Sequence, residues 1–461
     1  MSEKSIEAVV ARSRKAQAAY EANGSQERYD RAAQAAAWAI MEPARNRDLA
    51  ELAVRTTGLG NIPDKITKNH RKTLGLMRDI KDAVTFGVMS DDPTTGITEI
   101  ARAKGVVGAI VPSTNPAATP ANNIINALKC GNSIIIAPSP KGVACAERLL
   151  TFVHAEFTKI GEDLDLVQMI PAPGSKEKTQ ALMDQCDMIV ATGSQNNVHR
   201  AQTAGTPAVA VGAGNVTVIV DETADLADAA EKIRASKCFD NATSCSSENA
   251  VVVVDAVYDS FIGAMADAGG AVVHDEAGIV AKLWPDGHLN RSVIAQDADK
   301  LIAALDLNVP SGTDYIAIPT KGIGPKHPLS GEKLSRVLAL YRAADFDAAM
   351  RTTHAIQLHQ GAGHSVGLHS KTEQRPMLLA NAIPTSRVIV NQAHTFATGG
   401  SFTNGMPFSL SMGCGTWGGN SVNENVNYRH FLQSTKIIRE IPANEPSVDE
   451  IFNGYWAKAG K

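Results

Sequence analysis

The pattern of apolar and polar positions changes character near residue 105. Before it, apolar residues recur at helical spacing: Ala33, Ala37, Ile40 and Met41 share one face, and Pro43 then breaks the run. The first hundred residues are therefore read as helices. From Gly105 onward, short runs that are apolar throughout take over, at 106–111, 134–137, 167–170, 188–191, 208–211 and 216–220. Between most of them lie stretches suited to helices: 122–129, 143–159, 176–183, 196–204 and 224–237. Uninterrupted apolar runs are what strands buried on both faces look like, and strand–helix alternation implies right-handed parallel crossovers. The pattern predicts an open, doubly wound α/β sheet over residues 105–225, with ligands at the carboxyl ends of its strands.

A second α/β region follows, with a strand at 250–254, a helix at 255–268 and strands near 315–318 and 387–390. Residues 395–419 are rich in Gly, Ser, Thr and Asn, which predicts loops around a site. A last strand is expected at 435–441, followed by a polar tail. The chain shows no internal repeat.

Composition narrows the class. The 44 Lys and Arg nearly balance 48 Asp and Glu, so no basic surface points to nucleic acid. Clean apolar runs such as 133–137 fall far short of the roughly 20 residues needed to cross a bilayer. The opening MSEKSIEAVVARSRKAQ has no apolar core of the secretory kind. A cytoplasmic protein is expected. The 6 cysteines include no CxxC pair, so reduced thiols are expected rather than disulfides, and no metal site.

Chemistry concentrates in SKCFDNATSCSSENAVVVVD, residues 236–255. A helix should end near Lys237 and a buried strand should start near Asn249, leaving a polar turn between. A cysteine in such a turn sits near backbone N–H groups that stabilise a thiolate and an oxyanion. Cys245 is the candidate nucleophile, whereas Cys238 is expected to pack on the preceding helix.

The segment SKCFDNATSCSSE resembles the nucleophile segment of the aldehyde dehydrogenase superfamily, in its coenzyme A-acylating branch. Further segments resemble that family in the same order. VPSTNP (111–116) resembles the segment with the oxyanion-assisting Asn, which implies that role for Asn115, beside Thr114. ATGSQ (191–195) resembles the pyrophosphate turn, implying Thr192, Gly193 and Ser194 as cofactor contacts. SGEKLSRVLALYRA (330–343) resembles the segment that holds the nicotinamide ribose, implying Glu332 and Leu334. GAGHSVGLHS (361–370), which carries His364, and GCGTWGGNSVNENV (413–426) resemble later family segments. The resemblance implies an α/β fold with a Rossmann-like dinucleotide domain at 1–225, including arm strands near 95–105. A catalytic domain at 226–425 and a C-terminal return with an oligomerisation strand at 426–461 complete it. The arm should pair residues 97–103 with 435–441, and an unpaired edge there predicts a homodimer or homotetramer.

One departure from the wider superfamily is informative. Hydrolytic members carry a Glu that activates water in an ELGG-like segment, whereas AVGAGNVTVIVD (210–221) has Val211 and Gly212 and no acid. Gly212 and Gly214 are read as cofactor contacts. Without that base a thiol, intrinsically the better nucleophile, is the expected acyl acceptor. Coenzyme A is thus the expected co-substrate. A hydrolytic, acid-forming enzyme is the alternative if another carboxylate reaches the site, Glu248 being nearest in sequence; a scaffold with a degenerate site is the third reading.

After the strand at 134–137, PSPKGVACAE places Pro138, Ser139 and Lys141 where NAD-preferring relatives often have an acid. A hydroxyl and an ammonium suit a 2′-phosphate, so NADP is expected, with NAD the alternative. Thr243, Ser244 and Ser246 surround Cys245 with hydroxyls and favour a polar or anionic short aldehyde. Taken whole, the chain is similar to branch members that convert sulfoacetaldehyde to sulfoacetyl-CoA, with succinate semialdehyde and acetaldehyde as alternatives. Arg336 and Arg429 are the candidate partners for a sulfonate. The match of residues 413–418 to GxGxxG lacks the flanking strand and helix of a phosphate loop, and reads instead as a wall of the substrate tunnel. His354, His359, His364 and His369 recur every five residues, a spacing that scatters them around a helix. Because the chain ends at Lys461, a stand-alone enzyme without an appended alcohol dehydrogenase domain is expected.

Overall fold

Four helices open the chain, Ile6–Ala22, Gln26–Met41, Pro43–Thr57 and Ile62–Ile80, in a computed structural model that describes residues 5–212 and 214–461. Ser5, Ser25 and Asn61 cap three of them through side-chain oxygens that accept N–H bonds in the first turn. Pro43 does more than break a helix. It occupies the first turn of the next one, where its missing N–H costs nothing.

The first sheet has five parallel strands in the order Val167–Met169, Ser133–Pro138, Val106–Val111, Met188–Thr192, Ala208–Val211. The winding reverses between Val106–Val111 and Met188–Thr192, so their carboxyl ends open a crevice. The second sheet has seven parallel strands: Gly270–Val272, Tyr315–Pro319, Val337–Ala343, Glu248–Val254, Val216–Val220, Val366–His369 and Val388–Val390. Val216–Val220 therefore belongs near the middle of the second sheet. The first sheet ends at Val211, short of the boundary at 225 expected from the sequence. An apolar run announces burial on both faces but not which sheet buries it.

A third, antiparallel sheet joins Val88–Asp92, Ile97–Ala103 and Leu432–Ile438, with Thr435 opposite Ile100. It matches the expected pairing of 97–103 with the C-terminal strand. The tail beyond it is not irregular: Val448–Ala459 is a helix with no buried residue. Its Val448, Ile451, Phe452 and Tyr455 are exposed at helical spacing, a signal that the polar character of the neighbouring residues masked.

The segment before the strand Glu248–Val254 has unusual backbone. Asp240, Asn241 and Ala242 all have positive φ, at 48°, 54° and 61°. Non-glycine residues pay for that region sterically, so side chains must hold it. Asp240 is fully buried; its Oδ2 accepts from Lys65 Nζ (3.0 Å), Lys68 Nζ (2.5 Å) and the Thr243 hydroxyl (2.7 Å). Its Oδ1 accepts the Asn61 N–H (3.1 Å). Asn241 Oδ1 accepts from Arg336 Nη2 (2.6 Å) and Nε (3.0 Å), and its amide donates to Asp297 Oδ1 (2.9 Å). Burial alone would push the Asp240 carboxyl up, but Lys68 and Lys65 hold it below its ordinary value. Truncating one member of such a buried cluster strands the opposite charges. Asp240→Ala is expected to cost about 3–5 kcal/mol in denaturant unfolding; a loss below about 1 kcal/mol would show that the turn does not depend on it.

Candidate active site

Cys245 lies three residues beyond the left-handed turn, at the amino end of the second sheet, facing the carboxyl ends of the first. Gly214, His364, Glu332 and Leu334 arrive at the same edge, each shortly before its own strand begins. Between the two sheets is a cavity of about 380 Å³ lined by Cys245 together with Thr114, Asn115, Ser139, Thr192, Gly193, Ser194 and Gly212. Thr243, Ser244, Ser246, Glu332 and Leu334 also contribute to its wall.

The thiol is not poised as a thiolate. Burial pushes Cys245 up to about 12, with the nearby Glu332 carboxyl acting in the same direction. The backbone N–H groups of the turn do not outweigh that burial, contrary to what the sequence suggests. His364 Nε2 is 3.4 Å from Cys245 Sγ. Burial, reinforced by Arg387, pushes this imidazole down to about 3, so it is neutral at physiological pH. A neutral thiol against a neutral imidazole is a donor beside a vacant acceptor. The other ring nitrogen of His364 lies 2.7 Å from Ser365 Oγ, which is 2.8 Å from His394 Nε2. This buried chain fixes the plane of the His364 ring. Of the four regularly spaced histidines, His364 is the one in contact with Cys245.

Two donors face the space where an oxyanion would form. The Cys245 N–H bonds no other residue among the described residues. Asn115 Oδ1 accepts from Lys68 Nζ (2.9 Å), which fixes which end of the amide is occupied. Asn115 Nδ2 is thereby directed away from Lys68, with only a 3.5 Å contact to the Thr114 hydroxyl. Lys68 had no sequence signal; it acts through an ion pair with Asp240, whose partner lies 172 residues away.

The floor under the nucleophile is glycine for a steric reason. A Cβ at Gly214 would sit 2.3 Å from the Cys245 carbonyl oxygen and 3.0 Å from His364 Cδ2. One at Gly212 would meet the Gln195 amide at 2.7 Å. A side chain at Gly214 would have to displace the nucleophile's own backbone, and one at Gly212 the Gln195 amide. Glu248 does not substitute: it is buried, its Oε2 accepts the Ser236 hydroxyl (2.6 Å), and it forms no part of the cavity wall.

At the far end of the cavity, Ser194 caps the helix Gln195–Thr203, and the Ser139 hydroxyl is buried without a partner. An orphaned hydroxyl, a helix amino end and bare Gly193 and Gly212 fit a dinucleotide. Glu332, pushed up to about 8 by burial, stands between that end and Cys245. Pro138 ends its strand, and Lys141 is exposed outside the wall with its Nζ 3.5 Å from Thr57 O.

The two arginines expected to meet a sulfonate are elsewhere. Arg336 is committed to Asn241 and to the Asp314 carbonyl (3.2 Å), holding the turn rather than facing the cavity. Arg429 stacks beside Tyr428 next to the antiparallel sheet. The loop 413–418 supplies no phosphate cradle: Gly413 packs on Val422, and a Cβ at Gly363 would strike the Cys414 carbonyl. The loop's neighbour Met412 reaches the cavity.

Comparison with known proteins agrees with this arrangement. Residues 1–276 match the Aldehyde dehydrogenase family. A sulfoacetaldehyde dehydrogenase (acylating) of Cupriavidus necator is 54% identical over 460 residues, covering 99% of this chain and 93% of that protein. A sulfoacetaldehyde dehydrogenase of an Acholeplasma species is 38% identical over 96% of this chain and 93% of its own length. The crystal structure of an acetylating aldehyde dehydrogenase from Geobacillus thermoglucosidasius superposes with a TM-score of 0.91 at 28% identity, covering 96% of this chain and 98% of that one. With its Cys245 pocket at the meeting of two parallel sheets and a match along nearly its whole length, this chain belongs to the aldehyde dehydrogenase family.

Proposed function

We propose that the protein oxidises a short anionic aldehyde, sulfoacetaldehyde first among them, and passes the acyl group to coenzyme A. The observation that carries this is the lining of the site: Val211 and Gly212 stand where hydrolytic members carry the water-activating acid, Gly214 packs on the nucleophile's carbonyl, and His364 touches the sulfur. Water would find no carboxylate to activate it there, whereas a thiol is intrinsically the better nucleophile and needs no more help than His364 gives. The name of the relative from Cupriavidus necator supports sulfoacetaldehyde as the substrate.

The chemistry of the chain's own residues follows. Cys245 Sγ attacks the aldehyde carbon as His364 Nε2 takes its proton, and the oxyanion is received by the Cys245 N–H and Asn115 Nδ2. A bound nicotinamide would supply the hydride acceptor for that carbon; Cys245 would then hold the acyl group as a thioester. His364, having released its proton to solvent, takes the proton of coenzyme A. The new thiolate attacks the thioester, Cys245 leaves as thiolate and is reprotonated. Thr192, Gly193, Ser194, Ser139 and Glu332 are the residues that would hold the dinucleotide. Ser139, with Lys141 just outside, favours NADP, although NAD fits the same wall.

We also assign residues up to about 211 to dinucleotide binding, 216–425 to catalysis, and the antiparallel sheet with the C-terminal helix to assembly as a homodimer or homotetramer. The exposed Ile438, Ile451, Phe452 and Tyr455 support that last role. No helix among the described residues is long and apolar enough to cross a membrane.

The direct test is formation of reduced cofactor from sulfoacetaldehyde, succinate semialdehyde and acetaldehyde, each with and without coenzyme A. Strong dependence on coenzyme A is expected, with sulfoacetaldehyde preferred; turnover indifferent to coenzyme A would identify water as the acceptor and end the reading. Asn115→Ala should lower kcat by roughly 10²–10³, and an unchanged rate would remove it from the oxyanion site. Site-resolved alkylation of Cys245 by iodoacetamide should rise about tenfold per pH unit from pH 6 to 9, because a thiol pushed up to about 12 is still mostly protonated there. A plateau near neutrality would instead reveal a preformed thiolate–imidazolium pair.

A further inference from the structure

The helix Ile62–Ile80 sends three cations to the cavity wall: Lys68, Arg71 and Lys72. Lys68 is matched by Asp240. The other two are not matched by any acid among the described residues. Arg71 makes hydrogen bonds through Nη2, to the carbonyls of Phe396 (2.9 Å) and Gly400 (3.4 Å). Its Nε and Nη1 have no protein acceptor among the described residues, and its guanidinium lies 5.0 Å from the Phe396 ring centroid and 5.4 Å from that of Phe408. Lys72 Nζ donates to the carbonyls of Gly399 and Ser409. Burial, with Arg71 and Lys68 adding repulsion, pushes Lys72 down to about 7.

Carbonyl oxygens can orient a cation but cannot neutralise it. Two cations held this way in one cavity wall, one with donors left over on Nε and Nη1, form a site short of one negative charge. Arg71 also lines a second, outward-facing cavity on the other side of its helix, with Met41, His70, Leu74 and Phe402. It therefore borders both cavities.

We propose that Arg71 and Lys72 form the anion subsite of the aldehyde, binding its sulfonate or carboxylate. The proposal rests on the acylating reading above and replaces Arg336 and Arg429 in this role. Arg71 supplies the N–H donors left free on Nε and Nη1, and Lys72 supplies an ammonium whose charge a bound anion would restore. The aromatic rings at 396 and 408 hold the guanidinium flat and exclude water from it. An uncharged aldehyde would leave both cations uncompensated, so the subsite selects for charge as well as for length.

Three measurements test this on the full-length enzyme. Ethanesulfonate and propanoate, which carry the anion without the aldehyde, should each compete with the aldehyde in the wild type, and the tighter of the two identifies the preferred acid group. Arg71→Met and Lys72→Met should each lower the ratio of kcat/KM for sulfoacetaldehyde to that for acetaldehyde by about 10–100-fold, chiefly through KM, as expected for a lost bond to a charged group. Arg71→Lys should restore part of that ratio. A ratio that does not change, because both aldehydes lose activity in parallel, would show that these residues only clamp the 396–409 loop and would overturn the proposal. So would the absence of competition by either anion, even if a variant fails to fold. Should no aldehyde support coenzyme A-dependent oxidation, the acylating reading itself falls. Protection of Cys245 from iodoacetamide by ethanesulfonate would then still support the subsite, and lack of protection would overturn it.

Discussion

One carboxylate buried between two ammonium groups sets the geometry of this site. Asp240 cannot be moved without stranding Lys65 and Lys68, and the three residues that begin with it take a backbone conformation that side chains other than glycine avoid. The turn delivers Cys245 to the cavity. The same ion pair places Lys68 against Asn115 and fixes the direction of its amide. Nucleophile and oxyanion donor are thus held by one charge cluster, although they come from different sheets. Arg336, through Asn241, holds the turn from its other side.

Water exclusion shapes the chemistry as much as any donor does. The cavity leaves Cys245 and His364 both neutral, so attack and proton transfer must be coupled, and no standing thiolate is exposed to oxidation. The glycine floor then decides the fate of the acyl group. A carboxylate cannot be fitted at Gly214 because the nucleophile's own carbonyl occupies the space. The acid's own place in the segment is held by Val211 and Gly212, so no carboxylate from that segment reaches the acyl group.

Much of this was legible in the sequence, and the failures have physical reasons. Strands such as Val106–Val111 and Val216–Val220 were readable from apolar runs, because burial on both faces leaves no polar position. The sheet that Val216–Val220 joins was not, since the choice depends on long-range pairing with Glu248–Val254 and Val366–His369. Cys245, Asn115 and Glu332 were readable because family motifs surround them. Lys68, Arg71 and Lys72 were not: on a helix a charged residue usually means a solvated face, and only the packed structure shows that this face turns inward. Arg336 drew attention for the opposite reason, being near a motif in sequence while its guanidinium serves the turn. The electrostatics were also misjudged. Proximity to backbone N–H groups suggested a thiolate, yet depth of burial outweighs them.

That the acyl thioester on Cys245 waits for a thiol, with no carboxylate beside it to activate water, is the claim on which the rest depends. It is tested most directly by mass spectrometry of the enzyme mixed with oxidised cofactor and sulfoacetaldehyde in the absence of coenzyme A. The account predicts one acyl adduct per chain, located on Cys245, formed with a single equivalent of reduced cofactor, persisting for many turnover times and discharged on adding coenzyme A. Continued cofactor reduction with no adduct accumulating would contradict it.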